Sequence, residues 1–243
     1  YGFRTADDVV KIHNDIEALL DNNKYPVNIN IIGGGFTGVE VLGELLRKYA
    51  TNKKLKFNVI DRAERLVQAL PEKLSDDILS QCKDYQVSFH FDKKITEVKQ
   101  SSIHFNDKKS IESDLTIWSA GTKLPDYLDG INTQAMSNGL AVNQYLQTKA
   151  FSSIFVAGDS AALPNSLPKQ ASIALDMGLH AATNINRFCA KSTLKPLKVY
   201  TKPIILSLGD INTYFIQGQL VLASPLLATA KEAVYQFYMA RLS

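Results

Sequence analysis

Residues Asn28 to Leu46 read NINIIGGGFTGVEVLGELL, an apolar strand that passes through a Gly-x-Gly-x-x-Gly turn into a helix with apolar residues at helical spacing. That arrangement is suited to holding a nucleotide diphosphate. Gly33 permits the tight turn, Gly35 leaves room for a diphosphate to approach the backbone, and Gly38 lets the helix pack closely on the strand. Gly34, Phe36 and Thr37 complete the turn, and the helix amino terminus supplies unpaired N–H groups and the positive end of its dipole. A glycine fingerprint alone fits equally a turn that serves only packing. Here the next strand, KFNVID, ends on Asp61, 23 residues after Gly38. A carboxylate roughly 20 residues on is the expected acceptor for an adenosine ribose hydroxyl, so the pair of signals points to a dinucleotide.

The rest of the composition narrows the class. At 243 residues the chain accommodates two compact units. With 45% apolar residues, 21% charged residues and a formal charge of +3, it is an ordinary globular sequence without the basic excess that nucleic acid demands. Cys82 and Cys189 have no metal-ligand or C-x-x-C spacing and read as reduced thiols, so nothing points to an oxidising compartment. His13, His90, His104 and His180 are scattered without metal-ligand spacing, so no metal site is expected. No apolar run reaches the 18 residues a membrane-spanning helix requires.

Along the chain, Thr5 and Asp8 form a capping box before a helix whose face is marked by Val9, Ile12, Ile16, Leu19 and Leu20. The fingerprint strand, a helix over Thr37 to Tyr49, the strand ending at Asp61 and a helix around Lys73 to Tyr85 then follow in β-α-β-α order, which implies a parallel sheet. VSFHF, KITEVKQ, SSIHFND and SIESDLTIWSAGT alternate in polarity and read as a β-meander after the parallel part. GLAVNQYLQ and SSIFVAGDSA read as two more strands, with a helix from about Pro168 to Cys189 and a linker over Lys195 to Lys202. The tail, IILSLGD and NTYFIQGQLVL, reads as a small hairpin followed by a helix from about Pro225 to Leu242.

Four segments together carry a family resemblance: FRTADDV, GGGFTGVEVLGEL, IWSAGT, and SIFVAGDSA followed by LP and a helix with GLHAATNI. The chain resembles the flavoprotein pyridine-nucleotide oxidoreductases, and within them the type II NADH dehydrogenases, single-subunit NADH:quinone reductases. The fold this implies is a Rossmann-like, parallel-sheet α/β domain with a β-meander, inserted into an incomplete FAD-binding domain. Its expected parts are a connecting helix at 1–24, an NAD(H)-binding domain at 25–122, the second half of an FAD domain at 123–190, and a C-terminal region at 191–243 that meets a membrane or another subunit. The family's earlier Gly-x-Gly-x-x-Gly, which takes the FAD diphosphate, is not in this sequence. The chain is therefore expected to be part of a longer protein, to bind NAD(H), and by itself not to retain FAD. The redox C-x-x-x-x-C of the disulfide relatives would fall in the same part.

The resemblance also assigns roles. IWSAGT, ending at Gly121, corresponds to the crossover strand leaving the NAD domain, and VAGDSA to the second FAD motif, with Gly158 at the turn and Asp159 on the ribityl chain. Without the resemblance, Asp159 reads as a strand-end turn residue. Asp61 favours NADH over NADPH by repelling a 2′-phosphate, whereas Arg62 beside it either accepts a phosphate, stacks on adenine or is a solvated loop residue. Glu40 is complementary to the helix dipole whatever its role; the family carries a glutamate here close to nicotinamide and flavin, which makes Glu40 the catalytic candidate. Trp118 ends a strand and either packs or stacks. Hydride transfer to a flavin needs no general acid or base, so positioning residues are expected.

Ala171 is retained where the family's A-Q-x-A-x-Q helix approaches the flavin, but Ser172 and Asp176 replace both glutamines. The acceptor is then a quinone or a soluble compound, and a non-catalytic nucleotide-binding module is the reading from outside enzymes. The terminal helix, with Leu226, Leu227, Ala230, Val234, Phe237 and Tyr238, lies either on a membrane surface or against protein, a homodimer partner included. The implied location is cytoplasmic, peripheral on the inner face of a membrane.

Overall fold

The structure, a computed structural model, describes residues 1–22, 26–121, 135–136, 139–165, 167–198 and 202–240. Its elements run α1 (Ala6–Asn22), β1 (Val27–Ile32), α2 (Phe36–Tyr49), β2 (Leu55–Ile60), α3 (Glu72–Gln81), β3 (Val87–His90), β4 (Ile95–Val98), β5 (Ser102–Phe105), β6 (Ser110–Glu112) and β7 (Leu115–Trp118). Then come β8 (Ala135–Met136), β9 (Gly139–Ala141), β10 (Ala161–Ala162), α4 (Ala171–Cys189), β11 (Ile204–Leu208), β12 (Asn212–Gln217), β13 (Leu220–Ala223) and α5 (Leu227–Ala240). The chain divides into two compact units, Tyr1–Gly121 with Pro203–Ser243, and Thr122–Lys202.

In the first unit α1 starts on the expected capping box. The Asp8 N–H donates to Thr5 Oγ1 at 3.2 Å and the Thr5 N–H donates back to Asp8 Oδ2 at 2.9 Å. The N–H groups of Arg4 and then Thr5 hold the Asp8 carboxyl below the usual range. The central sheet is parallel with strand order β3-β2-β1-β7. One face, with Ile29, Ile31, Phe57, Val59, Leu115 and Ile117, joins the core formed with the helices. On the other, Ile32 and Ile60 pack against Ile103 and Phe105 of the antiparallel β4-β5-β6 sheet. Asn30 is fully buried on this face but not orphaned: it donates to the Glu112 carbonyl at 3.0 Å and accepts from Asn58 at 2.9 Å.

The expected meander is shorter than its sequence pattern. VSFHF supplies β3, a fourth parallel strand rather than the first antiparallel one. An edge strand buries one face, so it alternates in polarity like a meander strand, whereas β1 is buried on both faces and does not. SIESDLTIWSAGT splits into β6 and β7, because Asp114 Oδ2 accepts from the Asn28 N–H at 2.7 Å and redirects the chain into the parallel sheet. Helix α3 ends at Gln81, short of the expected Tyr85.

The tail forms a three-stranded antiparallel sheet rather than a lone hairpin. Leu206, Leu208, Tyr214 and Ile216 are buried in the first unit's core. Gly43 of α2 lies against Gly209 so closely that a Cβ on Gly43 would overlap the Gly209 backbone. The expected end of the last helix near Leu242, and residues 199–201 of the expected linker, lie outside the described residues.

In the second unit the expected strands shrink to β9 and β10, joined by β8. Asn143 Oδ1 accepts from the N–H groups of Tyr145 and Gln147 at 2.8 and 3.1 Å, which bends GLAVNQYLQ into a turn. Helix α4 buries Ile173, Met177 and Ala181 against Val142 and Leu146. Its buried Asn184 bonds both the N–H and the carbonyl of Lys195, which fastens the following stretch to the helix.

Candidate functional site

The carboxyl ends of β1, β2 and β7 surround a cleft of about 580 Å³. From β1 the chain goes out to β2 and β3 on one side and returns to β7 on the other, so the cleft lies where strand order reverses. Ligands of open α/β sheets bind at that point. Gly33 adopts φ +108°, which a side chain would strain, and a Cβ on Gly38 would overlap the Gly33 carbonyl oxygen. Gly35 caps α2 with no side-chain hydrogen bond and no acidic residue in the first turn. Phe36 and Thr37 beside it are exposed, so the amino-terminal N–H groups are open to an anion.

Asp61 fixes the turn and faces the cleft. Its Oδ2 accepts from the Gly34 N–H and its Oδ1 from the Ala63 N–H at 2.8 Å. Each carboxylate oxygen retains a second acceptor position, which suits ribose hydroxyls. Cations surround this single acid: Arg62, Arg65, Lys93 and Lys94 all line the cleft. Arg65 is spent on the carbonyls of Leu66, Gln68 and Leu70, shaping the loop whose Val67 N–H donates to the Gly34 carbonyl at 2.8 Å. Lys93 pairs with Asp107 at 2.6 Å and thereby lowers that carboxyl's pKa. Among the described residues Arg62 and Lys94 make no ion pair, so their charge is available to a diphosphate.

The structure thus brings together Gly33, Gly34, Gly35, Phe36, Asp61, Arg62 and Gly121 in one cleft, with Trp118, 41% exposed, at its edge. Thr37 and Gly38 stand just behind it in α2. Glu40 does not line it: its Oε1 pairs with Lys231 of α5 at 2.6 Å and accepts from the Ser207 N–H at 3.3 Å. Gly158 and Asp159 line a separate, much smaller pocket of about 30 Å³ in the second unit, with Gly158 at φ +66°. Ala171 is exposed in the first turn of α4 and is not part of that lining, to which its neighbours Gln170, Ile173 and Ala174 contribute. Lys93, Lys94 and Ser119 were not legible as site residues. Ser119 Oγ donates to the Ile32 carbonyl at 2.8 Å, tying β7 to the glycine turn. The two lysines reach the cleft only through the fold-back of the β3–β4 connection.

The pattern of the family described as pyridine nucleotide-disulphide oxidoreductase matches residues 2–178. The chain belongs to this family. Within it, the chain is similar to a type II NADH:quinone oxidoreductase of Haemophilus influenzae, 33% identical over 213 residues that cover 81% of this chain and 47% of the relative. A type II NADH:quinone oxidoreductase of Staphylococcus epidermidis is 27% identical over 75% of this chain and 50% of its own length. The chain spans about half the length of the curated relatives it matches. Its fold is that of NDH2 from Plasmodium falciparum, solved in complex with NADH, with a TM-score of 0.83, 15% identity, and coverage of 97% of this chain and 68% of that one. No helix among the described residues is long and apolar enough to cross a membrane.

Proposed function

We propose that this chain carries the NADH site of an FAD-dependent NADH dehydrogenase that passes electrons to a quinone. The observation that carries the proposal is the cleft at the strand-order reversal, where an open helix amino terminus, two cations that make no ion pair among the described residues and the Asp61 carboxylate match the diphosphate and ribose of a dinucleotide. The names of the relatives supply the substrate pair. In this reading the Gly33–Gly38 turn holds the diphosphate, Asp61 the adenosine ribose, and Arg62 with Lys94 the remaining phosphate charge. Gly121 ends the crossover strand and lets the chain leave the cleft.

The Gly158 turn fits the FAD assignment. Asp159 makes no hydrogen bond among the described residues, and a side chain on Gly158 would press on Ala174. Asp159 would hold a polyol hydroxyl there, with Ala171 and Ala174 leaving the start of α4 small. FAD, when bound, supplies the acceptor for the hydride and relays electrons singly or in pairs. Glu40, fixed by Lys231 and the Ser207 N–H, is the candidate positioning group near the nicotinamide end.

Exposed Leu226 just before α5, with Val234, Tyr235, Phe237 and Met239 on it, supports contact of α5 with the inner face of a membrane, or with a second copy in a homodimer. One observation favours a second reading of the acceptor. Asp176 pairs with Lys202, whose Nζ also donates to the Ser172 carbonyl, placing charge where the family has neutral glutamines, as a soluble acceptor would prefer. NADH oxidation by the whole FAD-loaded protein, followed with a short-chain quinone and with ferricyanide, tests both readings. Quinone turnover is expected; ferricyanide reduction without quinone reduction would replace the first reading with the second, and no oxidation with either would remove both.

A further inference from the structure

Val67 lines the nucleotide cleft, is buried, and has φ +41°, a left-handed conformation that a β-branched side chain strongly disfavours. Strain of this kind persists only where the surroundings over-determine it, and it gathers at ligand clamps. Two groups over-determine it here. Arg65 spreads its guanidinium over the carbonyls of Leu66, Gln68 and Leu70 at 3.4, 2.8 and 3.0 Å, so it grips the chain on both sides of Val67. The Leu66 N–H donates to the buried Ser75 Oγ of α3 at 3.2 Å, which ties the loop down from behind.

The strained loop acts on the glycine turn through one bond. The Val67 N–H donates to the Gly34 carbonyl at 2.8 Å, while Asp61 Oδ2 accepts from the Gly34 N–H. Both polar groups of Gly34 are therefore held from outside the turn. The peptide between Gly34 and Gly35 has a glycine on each side, so nothing local stops it from rotating. In a trans peptide the carbonyl of one residue and the N–H of the next point in opposite directions. Fixing the Gly34 carbonyl on the loop turns the Gly35 N–H away from the loop, where it donates to no group among the described residues.

We propose that Arg65 and Val67 are positioning residues for the diphosphate: they hold the Gly34–Gly35 peptide so that the Gly35 N–H stays available to a phosphate oxygen. The proposal rests on the reading of the cleft as a dinucleotide site. Arg65 lines the cleft, yet its hydrogen bonds go to the carbonyls of its own loop, so it acts on the ligand through Val67 and Gly34.

The test is competition of ADP and of adenosine against NADH, read by nicotinamide fluorescence in the purified chain and its variants, with urea unfolding run on each. Arg65→Met is expected to weaken NADH and ADP about tenfold, the worth of one hydrogen bond to a charged group, and adenosine less than about twofold. Arg65→Lys, which keeps the charge without the planar fork, should lose as much. Adding Val67→Gly to Arg65→Met removes the strain that Arg65 holds, so NADH affinity should return to within about threefold of the parent. Val67→Asn, which also accepts positive φ and keeps more side-chain volume, is the second rescue. Recovery in Arg65→Lys but with neither Val67 substitution would make Arg65 a direct phosphate ligand and overturn the proposal. So would parent-like ADP affinity in folded Arg65→Met, or equal losses for ADP and adenosine, which a general loosening of the cleft gives. No saturable NADH binding by the parent would remove the dinucleotide reading itself, and the positioning role with it.

Discussion

The molecule contains two glycine turns, and they differ in what stands around them. At Gly33 the turn leaves a six-residue strand paired on both sides, is pinned by Asp61, and opens on a cleft of about 580 Å³. At Gly158 a single 3-10 turn leads into two-residue β10, and the hollow holds about 30 Å³. Most of the first turn's frame, β1, α2 and β2, comes from one continuous β-α-β stretch, with β7 and Ser119 closing its other side. The second has little sheet beneath it among the described residues, only β10 paired with β9 and β9 with β8.

That contrast is sharpest at the glycines themselves. Gly38→Val is expected to have the largest effect, since the new side chain would enter the Gly33 carbonyl. A loss of about 3 kcal/mol or more in urea unfolding, with NADH binding abolished, is expected for such overpacking. NADH affinity within twofold of the parent would mean that the turn does not carry the diphosphate. Gly158→Ala meets positive φ and an Ala174 Cβ 3.3 Å away, so about 1–2 kcal/mol of stability should be lost. NADH titration should not register it, and a change there would break the separation of the two sites.

Smaller effects probe the cleft's edge. Asp61→Ala should weaken NADH by about 1–2 kcal/mol and lower the preference over NADPH, as loss of hydrogen bonds to a charged group requires. Nicotinamide fluorescence measures both affinities, and an unchanged NADH to NADPH ratio would remove Asp61 from the ribose. Glu40→Gln should cost less than about 1 kcal/mol in stability, because its ion pair with Lys231 is more than one-third exposed on both sides. In the whole flavoprotein, stopped-flow flavin reduction should slow by more than NADH binding weakens. A rate within about twofold of the parent, under roughly 0.5 kcal/mol in barrier, would leave Glu40 only its link to α5.

The first turn was legible because its signals are local. Gly33, Gly35 and Gly38 each have a steric reason at fixed spacing, and Asp61 ends the very next strand. The polarity of VSFHF misassigned β3, since an edge strand and a meander strand bury one face alike. Lys93, Lys94 and Ser119 stayed hidden because tertiary folding, not spacing, brings them to the cleft. The partner of Glu40 lies 191 residues away in sequence, beyond any periodicity. In the second unit, Asn143 broke an expected strand by accepting two backbone N–H groups, a competition that apolar alternation does not reveal.

The most direct test of the dinucleotide cleft is an equilibrium titration of the purified chain with NADH, read by nicotinamide fluorescence, beside Gly38→Val and a Lys94→Ala control. Saturable binding of one NADH per chain is expected, weakened in Lys94→Ala and absent in Gly38→Val. Binding that survives Gly38→Val in a folded chain, or no saturable binding in the parent, would contradict the assignment of the Gly33–Gly38 turn as the nucleotide site.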